Sequence, residues 1–149
     1  MQFSNIVEDG YVERCMKTKF PGTVAMGIGI NNIIQADLTP SLQDMVDKDY
    51  KPIAIFSNLL LQYVKTGRVE NQELVKNEYT DTLFDCLADV DMALCENNSK
   101  IRMAIINKLL IYSWSFIKPL LDDIENNSNS GSDESDEEKS ENSEENNSN

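Results

Sequence analysis

KIRMAIINKLLIYSWSFIKPLLDDI, residues 100–124, is the most apolar run in an acidic chain, and its reading decides the fold. A membrane span needs about 20 residues nearly free of charge. Here Arg102, Lys108 and Lys118 interrupt the run, and Lys108 sits near its middle, where a cation in bilayer is costly. The run therefore reads as a core helix over 99–124, with Ser99 as its cap and a kink at Pro119. Met103, Ile106, Leu110, Ile117, Leu121 and Ile124 recur at helical spacing, with Trp114 beside them. Ile105, Leu109, Phe116 and Leu120 widen the stripe well beyond that of a surface helix, and Asn107, Lys108, Ser115 and Lys118 mark the wet side. Leu110 and Ile117 are expected in the core. An arc this wide also makes Leu109, Phe116 and Leu120 candidates for contact with a second subunit or a partner helix.

Working outward, a second long helix is expected over 70–96, where Leu83, Cys86, Leu87, Val90 and Leu94 keep one face apolar. A third follows from KPIAIFSNLLLQYVKTG, residues 51–67. Pro52 suits its first turn and Gly67 its stop, and Ile53, Phe56, Leu60, Tyr63 and Val64 form its stripe. A shorter helix is expected from LTPSLQDMV, residues 38–46, with Thr39 as cap and Pro40 first in the helix. EDGYVERCMKTKF, residues 8–20, suggests another, weakened by Gly10. The segment PGTVAMGIGINNIIQADL, residues 21–38, is ambiguous. Val24, Met26, Ile28 and Ile30 alternate with small residues at strand period, and Asn31–Asn32 could turn a hairpin. The alternative makes Ile30, Ile33, Ile34 and Leu38 one helical face. We read 23–30 as strand or extended chain. The expected fold is mainly α: one small domain of four to six helices over 1–125, packed around 100–124, with a short extended or hairpin segment near 23–38.

The charge is unevenly placed. The chain has 149 residues and a formal net charge of −13. Residues 126–149 hold eight acids and one base and no apolar side chain, so they cannot bury surface to offset ordering entropy and are expected to be a disordered acidic tail. In composition alone this tail resembles those of histone chaperones and of single-strand-binding proteins, although it ends NNSN without the aromatic tip of the second group, and its charge favours a basic partner. An acidic chain grips nucleic-acid phosphate poorly, because that binding depends on Lys and Arg, so no direct nucleic-acid contact is expected. Histidine is absent, which excludes Ser–His and Cys–His catalysis and His-ligated zinc. Cys15, Cys86 and Cys95 are odd in number and form no C-x-x-C pair, which argues against a disulfide framework. MQFSNIVEDGYVER has no apolar signal-peptide core, so an intracellular location is expected. The 16 asparagines hint at an AT-rich genome, as in a virus, a phage or a low-GC microbe.

No motif carries a chemistry. Gly27-Ile28-Gly29 lacks the third glycine of a dinucleotide loop, which would fall at Asn32, and no Walker lysine follows. Arg14, Lys17 and Lys19 are a basic cluster too small to outweigh the surrounding acid. Asp81, Asp85 and Asp89 share one helix face with no Lys or Arg interleaved, which suits a docking strip for a basic protein better than a metal cage. No catalytic residue, cofactor or metal site is expected. The reading is a non-enzymatic protein-interaction module, such as a viral or phage accessory or assembly factor. Two alternatives stand beside it: an acidic chaperone or mimic for a basic nucleic-acid-binding partner, and a histidine-independent enzyme.

Overall fold

The structure, a computed structural model, describes residues 2–69 and 77–129. Seven α-helices and no strand occur among them: α1 (Gln2–Lys19), α2 (Thr23–Asp37), α3 (Leu42–Asp47), α4 (Pro52–Thr66), α5 (Glu78–Cys95), α6 (Ser99–Tyr112) and α7 (Trp114–Asn129). The expected mainly helical class holds, but with more helices than four to six, for two reasons. The segment at 23–30 is helical, and the run 99–124 is two helices.

The centre is α4, not 100–124. Pro52 opens it, since a fixed φ is preorganised for a first turn. Gly67 closes it at φ 74°, donating its N–H to the Tyr63 carbonyl at 2.7 Å. Between them Ile55, Phe56, Leu59 and Leu60 are fully enclosed, and α1, α2, α3, α5 and α7 all pack on this one helix. Phe56 meets the edge of Phe3 at 5.7 Å and the tilted ring of Phe116 at 5.6 Å. Leu83, Cys86 and Val90 of α5 and Ile105, Ile106 and Leu109 of α6 complete the core.

The opening stretch breaks at Ser113. Its Oγ donates to the Leu109 carbonyl at 2.6 Å and its N–H to the same oxygen at 3.0 Å. Such back-bonding competes with the helix ladder and bends it. Pro119 instead sits inside α7, where the carbonyl it leaves without a donor belongs to exposed Ser115 and is open to water. The bend rotates the buried line onto Ile105, Ile106, Leu109 and Phe116. Leu110 and Ile117, expected in the core, are half-buried at its edge. Lys108 is exposed as expected.

Local boundaries also move. Asn98 caps α6, one residue before Ser99. Ser41 caps α3 in place of Thr39, accepting from the Asp44 N–H at 3.1 Å. Asn77 opens α5 through a reciprocal capping box with Thr80. The expected start of that helix, 70–76, lies outside the described residues, as does 130–149 of the tail. Helix α7 runs through Asn129, a turn beyond the expected boundary at 125.

The strand expectation for 23–30 fails because α2 docks in the angle between α1 and α4. Its inward side is Asn32 and Ala36, and the Asn32 amide donates to Glu13 Oε2 at 2.6 Å and to the Lys65 carbonyl at 3.2 Å. Half-buried Ala25, Ile28 and Gly29 continue this side at spacings of three and four residues, which a helix gathers on one face and an alternating strand would split between two.

Gly10 explains how α1 approaches. It is buried, and a Cβ there would overlap Val64 of α4 and lie 2.9 Å from Leu94 Cδ2 of α5. Gly10→Ala should destabilise by about 1–3 kcal/mol through overpacking, despite the better helix propensity of alanine. Leu109→Ala should cost about 2–5 kcal/mol and Leu110→Ala clearly less. Lys108→Ala should cost under about 1 kcal/mol, because Lys108 is largely solvated and Asp89 keeps the Tyr112 hydroxyl as a partner. Urea unfolding of the four variants checks the order, and equal losses at 109 and 110 would contradict it.

Candidate interaction surfaces

The three aspartates singled out in the sequence do not behave as one strip. Asp81 and Asp85 are exposed, with no ion pair or side-chain hydrogen bond among the described residues. Asp89 is half-buried and engaged twice, accepting from Lys108 Nζ at 3.1 Å and from the Tyr112 hydroxyl at 3.0 Å. The bond to Asp89 raises the pKa of Tyr112. Asp89 therefore ties α5 to α6, and the strip open to a partner is Asp81 and Asp85, beside exposed Phe84 and Met92. No group of three or more Asp, Glu, Cys or His side chains among the described residues could hold a metal ion.

The apolar candidates fare differently. Leu109 and Phe116 are buried in the chain's own core, and only half-buried Leu120 keeps an outward part. The two therefore cannot face a second subunit while this fold stands, because Phe116 is stacked between Phe56 and Tyr79. The exposed apolar residues of this stretch are others, Ile111 and Trp114 among them.

Two polar clusters are part-buried between helices. Arg102 donates to both oxygens of Glu8, at 3.0 and 2.8 Å, and to the Glu96 carbonyl at 2.7 Å. Its guanidinium stacks 3.8 Å from the Tyr11 ring centre. The hydrogen bonds to Glu8 raise the Arg102 pKa, so the charge is permanent and the pair fixes α6 on α1. In the second cluster Glu13 accepts from Lys65 Nζ and from Asn32. It borders a cleft of about 280 Å³ between α2 and α4, lined also by Gln35, Leu61 and Gln62. This cleft holds one carboxylate, already paired, and lacks the second that acid–base work by carboxylates uses.

What sequence reasoning missed is the outward side of α2. Met26 is 62% exposed, Ile30 51%, Ile34 51% and Leu38, just past the helix end, 74%. The expected helical alternative did group Ile30, Ile33, Ile34 and Leu38 as one face, but periodicity alone does not say whether a face is covered. The available signal was charge: Asp37 is the only ionic side chain among the 15 residues of α2.

Compared with protein families, curated proteins and solved structures, the chain matches none. No helix among the described residues is long and apolar enough to cross a membrane.

Buried Cys86 and half-buried Tyr63 set an alkaline limit. Burial pushes the Cys86 thiol up to about 12, which makes it a poor nucleophile. Burial, with the bond to Asp91 at 2.8 Å, pushes the Tyr63 hydroxyl up to about 12. Both keep a proton in the folded chain where the unfolded chain has lost it. Their contribution is full below their ordinary values of 9.0 and 10.0 and disappears as pH rises through about 12. Urea titrations should show stability falling across this window, with a shallower fall in Tyr63→Phe and in Cys86→Ala. A slope unchanged in both would contradict the assignment.

Proposed function

We propose that the chain is a non-enzymatic, intracellular protein-interaction module whose main docking surface is the outward side of α2. The observation that carries this reading is the exposure of Met26, Ile30, Ile34 and Leu38 together on a helix with one charge. Single exposed apolar residues are ordinary, whereas a contiguous apolar patch on a helix marks an association surface. Helical scaffolds offer such faces to partner helices in this way. The part-buried polar clusters at Arg102 and Glu13 are ties between helices among the described residues, which supports an adaptor over a catalyst.

A second reading has its own support. Asp81 and Asp85 stand open on α5, and the sequence continues into a strongly acidic tail. Both suit a basic partner, such as a nucleic-acid-binding protein whose positive surface the chain would cover.

The two readings separate by salt and by site. Affinity capture from the native host should retain a partner that Ile30→Glu loses and that high salt spares. Loss in Asp81→Lys with Asp85→Lys, with dissociation at high salt, would favour the basic-partner reading instead. Asp89 is left unchanged in this test because it holds α6. A partner indifferent to both sets of changes would overturn both readings.

A further inference from the structure

We propose that the outward side of α2 docks on α2 of a second copy of this chain, the two helices crossing antiparallel about Ile30. This rests on the reading of α2 as a docking surface and names its occupant.

The shape is self-complementary. Met26, Ile30, Ile34 and Leu38 stand four residues apart and form one apolar ridge of about 18 Å. Beside it runs a furrow at Thr23, Gly27 and Asn31, and a Cβ at Gly27 would meet nothing within 4 Å. A ridge along every fourth residue fits the matching furrow of another helix at about −50°. A twofold axis at Ile30 seats the ridge of each copy in the furrow of the other.

The charges choose the antiparallel sense. The one ionic residue of α2, Asp37, is at its C-terminal end. Its N-terminal end adjoins Lys17 and Lys19 in the last turn of α1, and Gly22 there supplies no side-chain cap. Antiparallel crossing carries each Asp37 toward the lysines and the positive end of the other helix, while parallel crossing sets Asp37 against Asp37. Two copies with net charge −13 repel over most of their surface, and the stretch from Thr23 to Ala36 is without charge.

Other occupants fit less well. Residues 130–149 have no apolar side chain to lay on the ridge. A basic protein would find a single acid on it. A lipid surface calls for Lys and Arg along the polar side of an amphipathic helix, and α2 has none.

Sedimentation equilibrium of the full chain tests the assignment. The expected result is a reversible dimer that tightens as salt screens the mutual repulsion. Ile30→Glu should weaken it more than about tenfold, as loss of a central contact does, with helicity unchanged. Met26→Ser, which adds no charge, should weaken it less. In a Cys15→Ser, Cys95→Ser background, Ile30→Cys should cross-link to itself on mild oxidation, and Phe84→Cys on α5 should not. A chain that stays monomeric at all concentrations, a dimer untouched by Ile30→Glu, or equal cross-linking at 30 and 84 would each overturn the proposal. If the chain is monomeric but Ile30→Glu still loses a native partner, the second copy is wrong and the docking surface stands. If Ile30→Glu changes neither, both fall.

Discussion

The passage of α1 across α4 and α5 at Gly10 is the contact on which the other arrangements hang. With no side chain at this position, α1 lies so close to Val64 and Leu94 that a Cβ would force those side chains to shift. From there its two flanking carboxylates reach in different directions. Glu8 takes the Arg102 guanidinium and sets α6, and Glu13 takes Lys65 and Asn32 and sets α4 and α2. Phe3 and Val7 carry the same helix into the core beside Phe56. A single close approach thus coordinates four neighbours, and a wider spacing would loosen both ionic clusters and the aromatic contact together.

Apolar packing and polar ties divide the labour. Phe56, Leu59, Leu60, Ile106 and Leu109 supply the burial that drives collapse, without direction. Buried ion pairs add little net stability, since desolvation offsets most of their attraction, but they are intolerant of misplacement. Arg102 is held by Glu8, by the Glu96 carbonyl and by the Tyr11 ring, so α6 has one acceptable position on α1. Asn32 does the same for α2, whose apolar residues alone would let it slide or turn outside in. One interior group stays unsatisfied among the described residues, the Ser57 hydroxyl on α4, a modest destabilising element in a helix otherwise filled with hydrocarbon.

The outer surface is as uneven as the charge. Acids on α5 face water, and Asp89 and Asp91 among them are spent on Lys108, Tyr112 and Tyr63. Helix α2 presents hydrocarbon over most of its outward side. High net charge keeps a protein apart from its own kind, and an uncharged ridge is the place where that barrier is lowest. Strong overall acidity opposes indiscriminate association, and the uncharged stretch of α2 is where the proposed docking meets the least repulsion.

Features that depend on a few neighbouring residues were legible from the sequence alone. Proline restricts φ and glycine accepts a left-handed conformation, so Pro52 and Gly67 delimit α4 wherever it lies. The recurrence of Leu83, Cys86, Val90 and Leu94 marks the inner side of α5 for a similar reason. The segment 23–37 carries strand and helix periods at once, and no local preference separates them. The amide of Asn32, reaching Glu13 and the Lys65 carbonyl across the fold, does so. The break at Ser113 and the choice of Leu109 over Leu110 as core arise likewise, because both sides of that helix are apolar and only the placement of α4 and α5 says which is covered. The same holds for the surface. Sequence shows that Asp81, Asp85 and Asp89 align, but α6 passes only Asp89 and consumes it. An apolar face looks the same in a sequence whether or not another helix lies over it, and for α2 the tertiary packing leaves it bare.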